Sequence, residues 1–167
     1  DVEFNPGTPA TGTAFESGLP DQNGNGVLHE RGFAEAEAIP WSASYTFPVG
    51  FAGTWNGATY TDDLSDANEQ YIANTAEVEV DTVVYPVPLG NISGGSGGVP
   101  LSIDLSYLTT ALGSSAIALL ADRDVIVRYE TVVSDAGTGS RQHVSVMTIP
   151  GGSGGGSCSA GGGAVFT

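Results

Sequence analysis

Apolar and polar residues alternate with a period of two along several stretches of the chain. The clearest stretch is 41–49, in which every second residue is apolar: Trp41, Ala43, Tyr45, Phe47 and Val49. The residues between them are Ser42, Ser44, Thr46 and Pro48. A period of two indicates a strand with one buried face and one face in water. We therefore predict a half-buried strand over 41–49.

Related patterns predict further strands over 71–80, 81–88, 101–105, 124–133 and 141–149. The prolines of 81–88 favour an edge position, and Ser106 is expected to cap one short helix over 107–112. The residues expected in the core are Trp41, Tyr45, Phe47, Val78, Val80, Val127, Tyr129, Val144 and Val146. Short strands at regular spacing predict an all-β fold, an antiparallel β-sandwich of about eight strands, over residues 1–150.

Some polar and aromatic residues near these strands are expected to face water. Glu77 and Glu79 alternate with apolar residues, which indicates a solubilising face rather than a catalytic carboxylate pair. His143 is expected to point outward from its strand. Trp55 precedes Asn56-Gly57, a tight-hairpin signal, and is the aromatic side chain expected to be most open to solvent.

Residues 151–167 are rich in glycine and serine and are predicted to form a flexible tether with a strand-like tip. Nothing in a solvated tail requires apolar side chains such as Val165 and Phe166. We expect this tip, or failing it Val2 and Phe4, to add a strand to an adjacent subunit. Two alternatives remain open: the tail folds back on its own sheet, or it links to a following domain.

The composition narrows the range of partners. The chain has 167 residues, which suits one domain with a sizeable core, and its net charge is −15 without a single lysine. This charge repels nucleic-acid phosphates and anionic lipid head groups, whereas it favours cations. The longest apolar run, 116–121, is too short to span a bilayer.

The chain starts at Asp1 without a signal-like segment, as expected for a processed N-terminus or for the cut end of a longer chain. Cys158 is the only cysteine, so no intrachain disulfide is possible. A free thiol and an intermolecular link are both compatible with it.

Residues 21–32 are predicted to form a calcium loop. Asp21, Asn23 and Asn25 alternate before Gly26, and Glu30 follows shortly after. Calcium binds several oxygen ligands at short range, and a sharp turn at glycine lets such side chains converge. The predicted ligands are Asp21, Asn23, Asn25, the Val27 carbonyl and Glu30. Position 12 of the loop is Gly32 rather than glutamate, so an ion-free Asx-rich turn is the alternative.

Two further polar segments have two interpretations each. Residues 62–69 are acidic and form either a second cation site or a solvated turn. Asn91-Ile92-Ser93 matches the N-glycosylation sequon, so Asn91 is a candidate acceptor if the chain is exported by a cell that glycosylates asparagine.

The loop at 21–26, the aromatic strand after it and the segment YIANTAEVEV at 71–80 together resemble the Ig-like repeats of prokaryotic surface proteins, of the DUF11 type. Residues 122–129 resemble the entry to a central strand of such repeats. The resemblance implies an Ig-like β-sandwich in an extracellular setting. Some of these relatives carry Lys–Asn isopeptide bonds, which this lysine-free chain cannot form.

No catalytic motif is present, and three functions remain. The first is a structural protein of the cell surface, such as an adhesin repeat or the subunit of a filament or layer. The second is a carbohydrate-binding module whose sugar-stacking platform would come from Trp41, Trp55, Tyr60 and Tyr71. The third is an enzyme whose site has no recognisable motif.

Overall fold

The computed structural model describes residues 2–3, 10–12, 32–33, 38–47, 53–64, 68–112, 123–133, 139–149 and 156–166. Side chains are described for residues 38–47, 53–64, 68–112, 123–133, 143 and 145–149. Within these residues the chain forms thirteen strands, one helical turn (α1, Leu108–Ala111) and two short 3₁₀ turns. No helix in the described part has the length and apolar character needed to cross a membrane.

The strands form two sheets. The first sheet contains β1 (Val2–Glu3), β4 (Ala38–Thr46), β6 (Glu69–Tyr71), β7 (Glu77–Val80), β8 (Val83–Pro86) and β11 (Asp124–Val133). Its order is β1-β4-β11-β7-β8, and β6 pairs with the end of β11 beyond β7. The long β4–β11 pair is antiparallel over nine residue pairs and forms the centre of this sheet.

The second sheet lies across the core from the first. It contains β2 (Ala10–Gly12), β3 (Gly32–Phe33), β5 (Thr59–Asp62), β9 (Ile92–Ser93), β10 (Leu101–Asp104), β12 (Gly139–Ile149) and β13 (Gly156–Phe166). Its order is β2-β13-β12-β5-β10-β9, and β3 also pairs with β13. The main pairs are antiparallel, whereas the N-terminal strands β1, β2 and β3 join their neighbours in parallel. The architecture is the predicted all-β sandwich with one short helix.

The inner faces of the two sheets form one core. On β4 and β11 the inward residues follow the predicted period of two without exception. The buried residues include seven of those expected: Trp41, Tyr45, Phe47, Val78, Val80, Val127 and Tyr129. These strands orient as predicted because every inward position except Thr131 carries an apolar or aromatic side chain.

The facing of β12 differs from the prediction. Among its described side chains, those of His143, Ser145, Met147 and Ile149 are buried, whereas that of Val146 is half-buried. The side chain of Val144, also expected in the core, lies outside the described residues. The prediction that His143 faces water is wrong, because carboxylates from the neighbouring strands provide partners for a polar inner face.

Three local predictions also change. The strand expected over 71–80 is interrupted by a turn at 72–75, in which Asn74 has a φ of 67°. Asn56-Gly57 does form a turn, but residues 53–55 directly before it are not in a strand, so it does not close a hairpin. The short helix is preceded by a 3₁₀ turn at Leu105–Tyr107 that is capped by Asp104, whose side chain accepts a hydrogen bond from the Ser106 amide, rather than by Ser106 itself.

The C-terminal segment differs most from the prediction. Residues 156–166 of the expected tether form β13, which pairs with β12 over eleven residue pairs. Val165 and Phe166 lie opposite Ser140 and Gly139 of the same chain, and opposite Gly32 and Phe33 on the other side. Backbone hydrogen bonds explain this docking, because they do not depend on side chains and a glycine-rich segment forms them as well. The alternative in which the tail folds back on its own sheet is the arrangement found here.

Candidate functional site

Three ionisable side chains meet in the core between the two sheets, and we refer to Asp62, Glu69 and His143 as the inter-sheet triad. His143 projects inward from β12 and Asp62 from the neighbouring strand β5, whereas Glu69 projects from β6 of the opposite sheet. The His143 Nδ1 atom lies 2.8 Å from Asp62 Oδ2, and Nε2 lies 2.7 Å from Glu69 Oε1. All three side chains are at most 1% exposed. The imidazole therefore connects a carboxylate of one sheet to a carboxylate of the other.

Hydroxyl and indole groups complete the surroundings of the triad. Tyr129 donates its hydroxyl hydrogen to Asp62 Oδ2. Thr131 donates to Glu69 Oε1 over 2.7 Å and accepts from Trp41 Nε1 over 2.8 Å. The Trp41 ring stacks on the His143 ring, with centroids 3.6 Å apart. These contacts fix the orientation of both carboxylates and of the imidazole.

A second group of hydroxyls lies beside the triad. Tyr60 donates to the Tyr129 hydroxyl over 3.3 Å, and the Tyr45 hydroxyl and Ser145 Oγ lie 2.7 Å apart. Burial, together with the charge of Asp62, raises the pKa of Tyr60 well above its ordinary value, so its hydroxyl stays protonated. Tyr45 and Tyr129 belong to the first sheet, and Ser145 and Tyr60 to the second. These hydrogen bonds therefore join the sheets at further points.

The electrostatics of the triad favour a protonated imidazole. Burial by itself disfavours the charged ring, but the hydrogen bonds to Asp62 and Glu69 outweigh it and raise the pKa of His143 to about 9. For Asp62 burial is the largest effect, and it raises the pKa to about 6 against the opposing effect of His143. Removing one partner of a buried pair of this kind typically costs about 3–5 kcal/mol, because the remaining charge is left without a partner in a poorly solvated place.

The chemistry available to the triad is structural. Its side chains have the types found in catalytic sites, yet none of them is more than 1% exposed, and their partners are one another and the surrounding hydroxyls. Both imidazole nitrogens face carboxylates, which leaves no nitrogen for a metal ion, and no group of three metal-binding side chains suited to an ion is present in the described residues.

The two ends of the acidic segment 62–69 differ from both interpretations, whereas residues 65–67 lie outside the described residues. Asp62 and Glu69 are the ends of this segment, and both carboxylates point into the core instead of toward solvent or a cation. Asp63 between them is exposed. The strands β5 and β6 belong to opposite sheets, so the segment crosses from one sheet to the other and places one carboxylate on each side of His143.

The triad was not anticipated from the sequence, although a signal was present. Asp62 shares its alternation with Ala58, Tyr60 and Leu64, all of which are fully buried. In the same way Thr131 lies in phase with the buried Val127 and Tyr129 on β11. His143 lies four residues before the buried Met147 on β12, and therefore on the same face. A polar residue in phase with the apolar positions of its strand was the sign of a buried polar network.

The predicted calcium ligands Asp21, Asn23, Asn25, Val27 and Glu30 lie outside the described residues. Asn91 lies in a 3₁₀ turn, Leu89–Asn91, and is half-buried; its Nδ2 donates to the Asp104 carbonyl over 3.1 Å. Glycosylation of Asn91 stays a prediction. Comparing the mass of the exported wild-type protein with that of the exported Asn91→Gln variant checks it.

The predicted assembly residues lie on both terminal parts of the sandwich. Val2 of β1 lies opposite Tyr45 at the edge of the first sheet. Phe4 lies outside the described residues. Val165 and Phe166 lie at the end of β13, beside β12.

The described surface ion pairs lie on the outer face of the first sheet and at the ends of its strands β7 and β11. Arg128 lies 2.5 Å from Glu79 and 3.8 Å from Glu77, which are the two carboxylates expected on the wet face of their strand. Arg123 lies 2.5 Å from Asp81. These groups are partly exposed, so each pair contributes little to stability.

The aromatic platform required by the carbohydrate-binding alternative does not form. Trp41, Trp55 and Tyr60 are at most 1% exposed, and Trp55 packs edge-to-face on Phe47 in the core. Tyr71 is half-buried, with its hydroxyl accepting from the Ala76 amide. A groove of about 500 Å³ on the outer face of the first sheet includes Trp41 and Tyr129 in its lining, but both side chains are buried. Because Trp55 is buried, the expectation that its side chain is open to solvent is wrong.

Comparison with known proteins finds the fold but not a family. No family model matches the chain, and no curated protein matches it in sequence. Solved structures do match. The major pilin subunit BcpA of Bacillus cereus aligns with 86% of this chain at a TM-score of 0.56 and 9% identity, and the alignment covers 38% of that protein.

Two other surface proteins give similar results. Domains D2 and D3 of the major pilin SpaD of Corynebacterium diphtheriae align with 91% of this chain and 50% of theirs, at a TM-score of 0.55 and 11% identity. The N-terminal domain of the adhesin Sgo0707 of Streptococcus gordonii aligns with 83% of this chain at a TM-score of 0.50 and 16% identity. The alignment covers 30% of the adhesin chain. This chain thus spans half or less of each of these structures. It has the all-β sandwich fold of adhesin and pilin domains.

Proposed function

We propose that this chain is a non-enzymatic structural protein of the cell surface, either an adhesin repeat or the subunit of a filament or layer. The observation that carries the proposal is the sandwich fold, which the chain shares with pilin subunits of two organisms at TM-scores of 0.55 and above. The closed triad supports it, because the one constellation of catalytic residue types in the described chain is inaccessible and serves to join the sheets.

We further propose that subunits polymerise by exchanging β13. In one chain β13 pairs with β12 through an uninterrupted register from Ile149↔Gly156 to Gly139↔Phe166. Gly161, Gly162 and Gly163 lie in the middle of this strand, and glycine in a strand interior weakens it because no side chain packs there. To exchange, β13 would have to leave β12, β2 and β3 of its own chain, and it would find the same backbone partners on another copy.

The exchanged contact would propagate from copy to copy. β13 of one copy would occupy the place beside β12 of the next, and that copy would pass its own β13 onward. Such a head-to-tail contact is heterologous, and it produces a filament when the rotation between copies does not close a ring. The contact also suits an acidic protein, since backbone hydrogen bonds bring copies together without pairing carboxylates.

A disulfide trap tests the exchange. Met147 lies directly opposite Cys158, which is the only cysteine, and opposed residues on antiparallel strands are about 4.5–5.5 Å apart at Cα, within the range for a disulfide. In Met147→Cys, assembled material oxidised after polymerisation should give a ladder of covalent multimers on a non-reducing gel. Monomer oxidised before assembly should give one intrachain-linked band.

The control is Thr148→Cys, one residue out of register with Cys158, which should give no ladder. If assembled Met147→Cys contains intrachain disulfides alone, β13 stays with its own chain and the exchange is refuted. That result would leave the surface role standing, since adhesin repeats need no exchange.

We also propose that calcium binds the loop of Asp21, Asn23, Asn25, the Val27 carbonyl and Glu30. The support is the oxygen-rich spacing before Gly26 and the chain's charge of −15, which attracts cations. The ion would stiffen the chain ahead of β4, the strand at the centre of the first sheet.

A further inference from the structure

The inter-sheet triad contains a buried positive charge that is present only while His143 holds its second proton. Both nitrogens of His143 face a carboxylate oxygen, at 2.8 Å and 2.7 Å. A neutral imidazole donates from one nitrogen only, whereas the imidazolium donates from both. Asp62 and Glu69 can therefore both accept a hydrogen bond from His143 only while both ring nitrogens carry a proton.

The groups that contact His143 or belong to the polar network around it come from five strands. They are Asp62 and Tyr60 from β5, Glu69 from β6, Trp41 and Tyr45 from β4, Tyr129 and Thr131 from β11, and Gly162 opposite it on β13. Asp63 adds an exposed negative charge near Asp62. Among the described side chains the other cations, Arg123 and Arg128, pair with Asp81 and with Glu77 and Glu79. Arg141, two residues before His143 on β12, has a side chain outside the described set.

We propose that the triad is a proton-dependent clasp: the protonated ring of His143 holds Glu69 of the first sheet to Asp62 of the second, and its deprotonation at alkaline pH loosens the sandwich. This inference concerns the stability of the single subunit and does not depend on strand exchange. It assigns a pH response to a surface protein from side chains that never reach the surface.

The direction of the response follows from the contacts. Loss of the proton leaves two buried carboxylates beside a ring that donates to one of them at most. The pKa of His143 is raised from 6.5 to about 9 by the hydrogen bonds to Asp62 and Glu69, in spite of burial. The stabilisation is therefore fully present below about pH 6.5 and is lost as the pH rises to about 9. Asp62, whose pKa burial raises, acts in the same direction at lower pH.

The test measures unfolding from pH 5.5 to 9.5 in a Cys158→Ser background, which removes the one thiol that titrates in this range. The folding equilibrium constant should fall roughly a hundredfold between pH 6.5 and pH 9. The midpoint of thermal unfolding should fall by about 5–10 °C. His29→Gln, which removes the only other histidine, should keep this fall, and His143→Gln should abolish most of it.

A second variant covers the case in which His143→Gln does not fold. Glu69→Gln keeps the ring and one carboxylate, so the alkaline loss should move to lower pH. Nitrogen NMR of the imidazole should show His143 doubly protonated at pH 7.5 in the wild-type chain. A neutral His143 ring at that pH, or an unchanged pH dependence in Glu69→Gln, would overturn the clasp.

Discussion

At the scale of single residues, the fold depends on how polar groups are satisfied inside the sandwich. Asp62, Glu69 and His143 are as buried as the aromatic side chains around them, and each has partners on neighbouring strands. Burying such groups without partners would cost several kcal/mol each. The network is thus favourable only as a set, which makes it a determinant of how the two sheets align.

The calcium loop gives a prediction at this scale. Calcium at a hundredfold excess over its dissociation constant should raise the unfolding midpoint by roughly 5–10 °C, because an ion that binds only the folded chain stabilises it. Asp21→Ala should remove this gain, whereas Asp63→Ala, which alters an exposed carboxylate elsewhere, should keep it. Melts with calcium and with a chelator measure both. Identical midpoints for the wild-type chain under the two conditions would remove calcium from the account.

Residue facing was predictable where the two faces of a strand differ in polarity. On β4 the alternation of Trp41, Ala43 and Tyr45 with serines leaves one possible orientation. On β12 one face carries His143, Ser145 and Met147, and the half-buried Val146 lies between the last two, so hydrophobicity favours the wrong face. The orientation there depends on Asp62 and Glu69, which come from strands far away in sequence and whose positions the sequence does not reveal.

At the scale of elements, the hairpin between β7 and β8 shows local strain. Asp81 and Thr82 form its turn with φ values of 47° and 76°, in the left-handed region. Asp81 is held there by Arg123 and by the Asp124 amide, which donates to Asp81 Oδ1 over 3.0 Å. Thr82 is exposed and branched at Cβ, so its backbone conformation is costly and has no such compensation.

Replacing Thr82 with glycine should relieve this strain. We expect Thr82→Gly to stabilise the chain by about 0.5–1 kcal/mol, since removal of Cβ eliminates the clash while unfolded-state entropy offsets part of the gain. Gly57→Ala is the matched opposite, because Gly57 is exposed in a turn at a φ of 75° and should lose about 1 kcal/mol. Urea unfolding measures both. A destabilised Thr82→Gly would show that the turn is not strained.

Elements were predictable where periodicity is long and less so where turns or glycines intervene. Strand β11 has the predicted limits, 124–133, because ten residues alternate without interruption. The segment 71–80 also alternates, yet a turn at Asn74 divides it between two positions along β11. Strand β13 has almost no side-chain pattern, and its place follows from backbone pairing with β12, β2 and β3.

At the scale of the whole molecule, the sandwich combines a strongly acidic chain with a strand that depends on backbone pairing. Its fold aligns with pilin subunits although identity to them is 9–11%. The net charge of −15 makes two copies of the chain repel each other, so contacts between copies are favoured where no charged side chains meet. The proposed exchange of β13 would be such a contact, and it would link the fold of one subunit to the growth of a polymer.

Electron microscopy of the chain with a reversible lock tests this claim most directly. Met147→Cys is oxidised as a dilute monomer, so that its disulfide to Cys158 ties β13 to its own β12, and it is then concentrated with and without reductant. We predict filaments or layers in the reduced sample and in wild type, and none in the oxidised sample. Assemblies of the same form and abundance in the oxidised sample would contradict the account, because a strand tied to its own chain cannot join two subunits.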